Sequence, residues 1–120
     1  LDDPRFAPVF AAGSRAEVSI VGRLARPRGG HVVVSGQVDR LVVTDDTVLI
    51  VDYKTNHAPP THARDAPSAY IRQLALYRAV LANLYPGRAV HAALAWTETL
   101  EIMELSSPAL DAGLASALAR

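Results

Sequence analysis

The chain has no cysteine. That excludes a disulfide framework, a thiolate zinc site and a thiol nucleophile, and it fits a reducing compartment such as the cytoplasm. No apolar run approaches the roughly 20 residues that a membrane-spanning helix needs, so no membrane partner is expected. There is no excess of charge either: Lys and Arg total 12, and so do Asp and Glu. With no global basic field to gather polyanions, any contact with nucleic acid has to come from local groups. A glycine-rich nucleotide loop, a Ser-His-Asp set and an HExxH zinc helix are also missing. Lysine is almost absent: of the 12 basic side chains 11 are arginine, and the single lysine is Lys54. A chain that writes Arg wherever it needs positive charge marks Lys54 as a place for a compact ammonium, which a guanidinium cannot replace.

What is present suits a folded domain. Half of the 120 residues are apolar, enough for one core without staples, so residues 1–120 read as a single domain. The opening Leu-Asp-Asp-Pro is neither a signal peptide nor an initiator methionine, and the expectation is a piece of a longer protein. Residues 1–13, with Pro4, Pro8 and Gly13, read as a helical turn or coil.

From Ala16 to Leu24 the residues alternate as in a half-buried strand, and a turn follows at Pro27 and Gly29-Gly30. A second strand is expected from about His31 to Thr44 and a third from Thr47 to Thr55, with Asp45-Asp46 as the turn between them. Residues 56–67 hold three prolines and no periodicity, which predicts a functional loop. Apolar residues then recur at helical spacing from Ser68 to Tyr85, with Ser68 as the candidate cap and Pro86-Gly87 as the stop. Residues 89–96 read as a strand, 100–105 as an outer strand and 108–119 as a closing helix. A strand, a crossover helix and a strand predict a parallel pair, whereas the hairpin is antiparallel. The fold class is therefore α/β, a mixed central sheet flanked by helices.

The hairpin register carries the functional argument. If Asp45-Asp46 is a two-residue turn, paired residue numbers sum to 91 and Asp39 falls opposite Asp52. Opposed Cβ atoms lie about 4.5–5.5 Å apart on one face of a sheet, and Lys54, two residues on, shares that face. Two like charges so placed destabilise a bare sheet. A divalent cation reverses the sign, because Mg²⁺ keeps several waters and commonly binds through one or two carboxylates plus phosphate oxygens. Such an ion lowers the pKa of a bound water and neutralises charge building on phosphorus, and a neighbouring ammonium orients the water.

These residues resemble the PD-(D/E)XK nuclease superfamily, and within it the RecB-like module at the C-terminus of AddA-type helicase–nucleases of bacterial double-strand-break repair. The resemblance rests on "GQVDRLVV" with Asp39, "VLIVDYKTN" with Asp52 and Lys54, and "YIRQLALY" with Tyr70, Gln73 and Tyr77. It implies a restriction-endonuclease-like core acting as a metal-dependent deoxyribonuclease of exonuclease type. Asp39 and Asp52 would bind Mg²⁺ or Mn²⁺, and Lys54 would assist the attacking water. Gln73 and Tyr77 match a Q-x-x-x-Y motif beside the active site; with Tyr70 they are spaced i, i+3, i+7 on one helix face toward DNA. Glu17 aligns with an acid at the start of the first strand and is a further candidate metal ligand. His57 in the proline-rich loop, with Arg23, Arg26 and Arg28 at the glycine turn, are candidate DNA contacts.

Modules of this type usually carry a histidine ligand on a helix before the first strand, and His31, His57, His62 and His91 all lie after Glu17. The implied partners are DNA and a second nuclease or helicase subunit, with ATP binding elsewhere in the parent protein. The alternative is a non-catalytic module on the same fold that holds DNA or a partner.

Overall fold

The computed structural model describes residues 14–55, 60–99 and 101–119. Five strands form one sheet in the order β1-β2-β3-β4-β5. They are β1 (Ser14–Ala25), β2 (His31–Val43), β3 (Thr47–Lys54), β4 (Ala89–Trp96) and β5 (Glu101–Glu104). Only β3 and β4 run parallel; the other three pairings are antiparallel. Helix α1 (Ser68–Leu84) is the crossover between the parallel strands, and α2 (Ser107–Leu118) closes the chain. This is the mixed α/β sheet expected of a restriction-endonuclease-like core. The expectation for residues 1–13 falls outside the described residues, and so does His57.

The sheet acquires its two faces by alternation along β3. Val48 and Ile50 enter the main core with Leu74 and Leu81 of α1, whereas Val51 lies on the other face with Ala93, Ala95, Leu49 and Tyr53. Val48, Ile50, Val51, Ala92, Ala93 and Leu94 are all fully buried. The two central strands are therefore closed to solvent on both sides, as a parallel pair requires. Continuing the same alternation brings Asp52 and Lys54 onto the α1 face.

Helix α1 sits unusually close to the sheet because the strands beneath it carry glycine. A Cβ on Gly22 would lie 2.6 Å from Val80 Cγ1, and one on Gly36 would overlap the Tyr77 hydroxyl. Glycine inside a strand commonly marks such an approach. The start of the helix differs from expectation: Ser68 is its first residue and Pro67 its cap, with no side-chain hydrogen bond. The extended Pro67 (φ −52°, ψ 133°) stands outside the helix and its carbonyl accepts the Tyr70 N–H at 2.9 Å. A serine cap does occur at α2, where Ser106 Oγ accepts the Ala109 N–H at 3.2 Å.

The hairpin register is the predicted one, with Val43 paired to Val48 and Arg40 to Val51. Threonine side chains close its turn: Thr44 N donates to Thr47 O at 2.9 Å, and Thr47 N donates to Thr44 Oγ1 at 3.1 Å. Among the described residues Glu17 is the one non-glycine residue with positive φ, so this turn does not use the left-handed geometry of most two-residue hairpins.

Candidate active site

The site lies where the regular ladders of β2 fail. Towards β1, Ala16 pairs with Arg40 and Val18 with Val38, and the pairing skips Glu17 and Asp39 between them. Glu17 has φ 55°, a left-handed conformation that costs a non-glycine residue about 1–2 kcal/mol. The faces of β2 change at the same level: Val34 and Val38 belong to the main core before it, Leu41 and Val43 after it. Consecutive residues Val38 and Asp39 consequently share the α1 side, while Arg40 turns to the opposite face and bonds Tyr53 Oη (3.3 Å) and Ser14 Oγ (3.2 Å).

Towards β3 the backbone pairing ends at Arg40 and Val51. One step further the Tyr53 N–H donates to Asp39 Oδ2 at 2.7 Å instead of to a strand carbonyl. The carboxylate takes the place of a rung of the ladder, and Asp39 lies close enough to Asp52 to raise its pKa.

Burial pushes the Asp52 carboxyl above the usual aspartate range; the Asp39 carboxyl adds to this, and Lys54 pulls in the other direction. Lys54 Nζ is 2.7 Å from Asp52 Oδ2, and the two side chains are only 16% and 15% exposed. The pair is close in charge but not aligned as a hydrogen bond: among the described residues Asp52 Oδ2 is a buried oxygen with no hydrogen-bond partner. The attraction at this distance is that of a partly buried ion pair. On its other side the Lys54 ammonium lies over the Tyr70 ring, 3.8 Å from the centroid.

The structure thus brings Asp39, Asp52, Lys54 and Tyr70 together. Gln73 is exposed one turn along α1, with its Nε2 3.4 Å from the Tyr77 hydroxyl, and buried Tyr77 rests on Gly36, three residues before Asp39. Glu17 is exposed on β1, and no group of three or more His, Asp or Glu side chains forms among the described residues. Arg26 and Arg28 lie at the β1–β2 turn, and the nine residues of β2 from His31 to Asp39 carry that turn about 26 Å from the acid pair. Arg23 is exposed near the same end.

Two contributors escaped sequence reasoning. The Tyr53 N–H is a backbone group with no signature. Gly36 did leave a signal, as a glycine in mid-strand directly before the first acid block.

Two neighbouring carboxylates, one of them with a buried oxygen that lacks an aligned hydrogen bond among the described residues, are a donor set that fits a hard divalent cation.

Over 59 residues, 49% of its length, the chain is 37% identical to an ATP-dependent helicase/nuclease subunit of Lactiplantibacillus plantarum (strain ATCC BAA-793 / NCIMB 8826 / WCFS1), and it spans 5% of that relative's length. Among solved structures, one described as the crystal structure of SSO0001 superposes with a TM-score of 0.53 at 10% identity, covering 96% of this chain and 54% of that one. That likeness is one of fold alone. The sequence profile of the PD-(D/E)XK nuclease superfamily matches residues 3–116, nearly the whole chain, and the chain belongs to that superfamily.

Proposed function

We propose that this chain is a metal-dependent deoxyribonuclease module of exonuclease type, within a helicase–nuclease of bacterial double-strand-break repair. The reading is carried by one observation: the Asp52 carboxyl lies buried beside that of Asp39, with the Lys54 ammonium 2.7 Å from its Oδ2. Two acids forced together at a sheet seam cost stability unless something positive and divalent completes them.

Asp39 and Asp52 hold Mg²⁺ or Mn²⁺ in this reading, with Glu17 as an outlying acid. The bound ion would supply an acidified water and neutralise charge on the phosphate. The chain's own groups do the rest. Tyr53 N–H fixes the orientation of Asp39. The Lys54 ammonium offers N–H donors and positive charge to the water and to the phosphodiester oxygens. Gln73 presents its amide at the surface of α1, the side along which a DNA strand lies, and buried Tyr77 supports it from beneath with its hydroxyl 3.4 Å from Gln73 Nε2. His57, in the proline-rich stretch that follows Lys54 in sequence, and Arg26 and Arg28 at the hairpin tip extend contact to the phosphate backbone.

The curated relative is a helicase/nuclease subunit, which supports placing this module in a cytoplasmic complex with a partner protein, with ATP binding elsewhere in the same polypeptide. The test is Asp52→Ala in the intact protein. Mg²⁺-dependent DNA cleavage is lost and any ATPase activity is kept. Cleavage at the wild-type rate would refute the assignment, and a wild-type protein that binds DNA without cutting it would point to a holding module.

A further inference from the structure

Lys54 is the last residue of β3, and its long flexible stem leaves its ammonium to be placed by whatever it touches. Among the described residues it meets Asp52 Oδ2 at 2.7 Å and the Tyr70 ring at 3.8 Å. The carboxylate holds it by charge at a point. The ring offers a broad negative face, which attracts an ammonium most strongly where water is excluded.

The ring is carried by an anchored helix. Tyr70 lies in the first turn of α1, its N–H held by the Pro67 carbonyl at 2.9 Å. The same helix is set down on the sheet by Tyr77 over Gly36 and Val80 over Gly22.

We propose that Tyr70 is a positioning residue, an aromatic platform that keeps the Lys54 ammonium at the mouth of the Asp39–Asp52 pair when a divalent cation competes for Asp52. The inference rests on the nuclease reading and adds a division of labour to it. An ammonium tethered by Asp52 alone is released to solvent once that carboxylate is taken by a cation. Tethered also by a ring, it stays within reach of a phosphodiester at the same seam. The specific contact of Tyr70 is thus with Lys54, through the ring face, and the phenol hydroxyl is dispensable for it.

The experiment has a structural arm and a kinetic arm. In the intact protein carrying isotope-labelled lysine, the Lys54 ε-methylene resonance is assigned by its disappearance in Lys54→Arg. It is displaced upfield by the ring current in wild type and Tyr70→Phe, keeps that displacement when Mg²⁺ alone is added, and loses it in Tyr70→Leu. A resonance unmoved by Tyr70→Leu, or returned to its unshifted position by Mg²⁺, overturns the proposal.

In cleavage of duplex DNA, Tyr70→Leu lowers kcat by about tenfold with KM unchanged, the size expected of a desolvated cation–π contact. Tyr70→Phe, which restores the ring, recovers most of that rate, and in a Lys54→Ala background Tyr70→Leu costs little more. Equal damage from Phe and Leu, or an undiminished loss without Lys54, would assign Tyr70 to DNA instead. Should wild type fail to cleave, the nuclease reading falls on that result, while the lysine resonance still decides whether the ring holds Lys54.

Discussion

Asp39 Oδ2 accepts the backbone N–H of Tyr53 at 2.7 Å, so an acid proposed for catalysis is also a structural member of the sheet. The two roles separate by substitution. An asparagine retains a carbonyl oxygen that can accept the same N–H, whereas alanine leaves that donor unpaired in the seam, at about 1–3 kcal/mol. Asp39→Asn is expected to unfold in urea close to wild type, and Asp39→Ala earlier by that amount. Both lose Mg²⁺-dependent cleavage. Equal stability of the two variants would mean that the carboxylate does not hold the strand.

The raised pKa of Asp52 gives a pH dependence with a definite sign. Burial, reinforced by Asp39 and opposed by Lys54, makes the folded protein hold the Asp52 proton more tightly than the unfolded chain does. The stability linked to this group is therefore complete below the ordinary aspartate range. It is lost as pH climbs through the raised folded value, since ionisation is then easier in the unfolded chain. In chelator, Asp52→Asn should raise Tm at neutral pH and flatten this part of the Tm-against-pH curve. Added Mg²⁺ or Mn²⁺ should raise Tm of wild type and not of the variant, because a ligand stabilises only the state that binds it. Thermal scans across the acidic range and at neutral pH, with and without the ion, measure both effects. Asp52→Asn melting below wild type in chelator would contradict the sign.

Much of this arrangement was legible in sequence because it follows from period and punctuation. Alternation in β3 places Val48, Ile50, Asp52 and Lys54 on one face, and the short Asp45-Asp46 turn fixes the register that brings Asp39 near Asp52. The legible part stops where the backbone becomes irregular. Extrapolating the ladder places Asp39 directly opposite Asp52, yet the rungs end one pair earlier, and the carboxylate itself takes the Tyr53 N–H. The positive φ of Glu17 is equally silent in the sequence, since glutamate is not a residue type associated with that conformation. Ser68 fails as a cap for a related reason: Pro67 already sets an extended entry and its carbonyl accepts the Tyr70 N–H, which puts Ser68 inside the helix.

Gly36 links the fold to the site most directly. A Cβ there would overlap the Tyr77 hydroxyl, and Tyr77 lies seven residues along α1 from Tyr70, on the helix face whose other end reaches Lys54. The space is closed, because Tyr77 is buried and the helix is held further along by Val80 on Gly22. Gly36→Ala must therefore lift or tilt the N-terminal half of α1, at about 1–3 kcal/mol of overpacking. Tyr77→Phe removes the oxygen that the new methyl would strike. The double variant Gly36→Ala/Tyr77→Phe should then recover part of the stability lost by Gly36→Ala, a coupling of the kind seen between residues in contact. The measurement is a urea-unfolding double-mutant cycle, and additive losses would show that Gly36 is not the seat of Tyr77. The displacement should also reach the site, because a tilted helix carries Tyr70 away from Lys54, so the Gly36→Ala protein that remains folded should cleave DNA more slowly and the second substitution should return part of that rate.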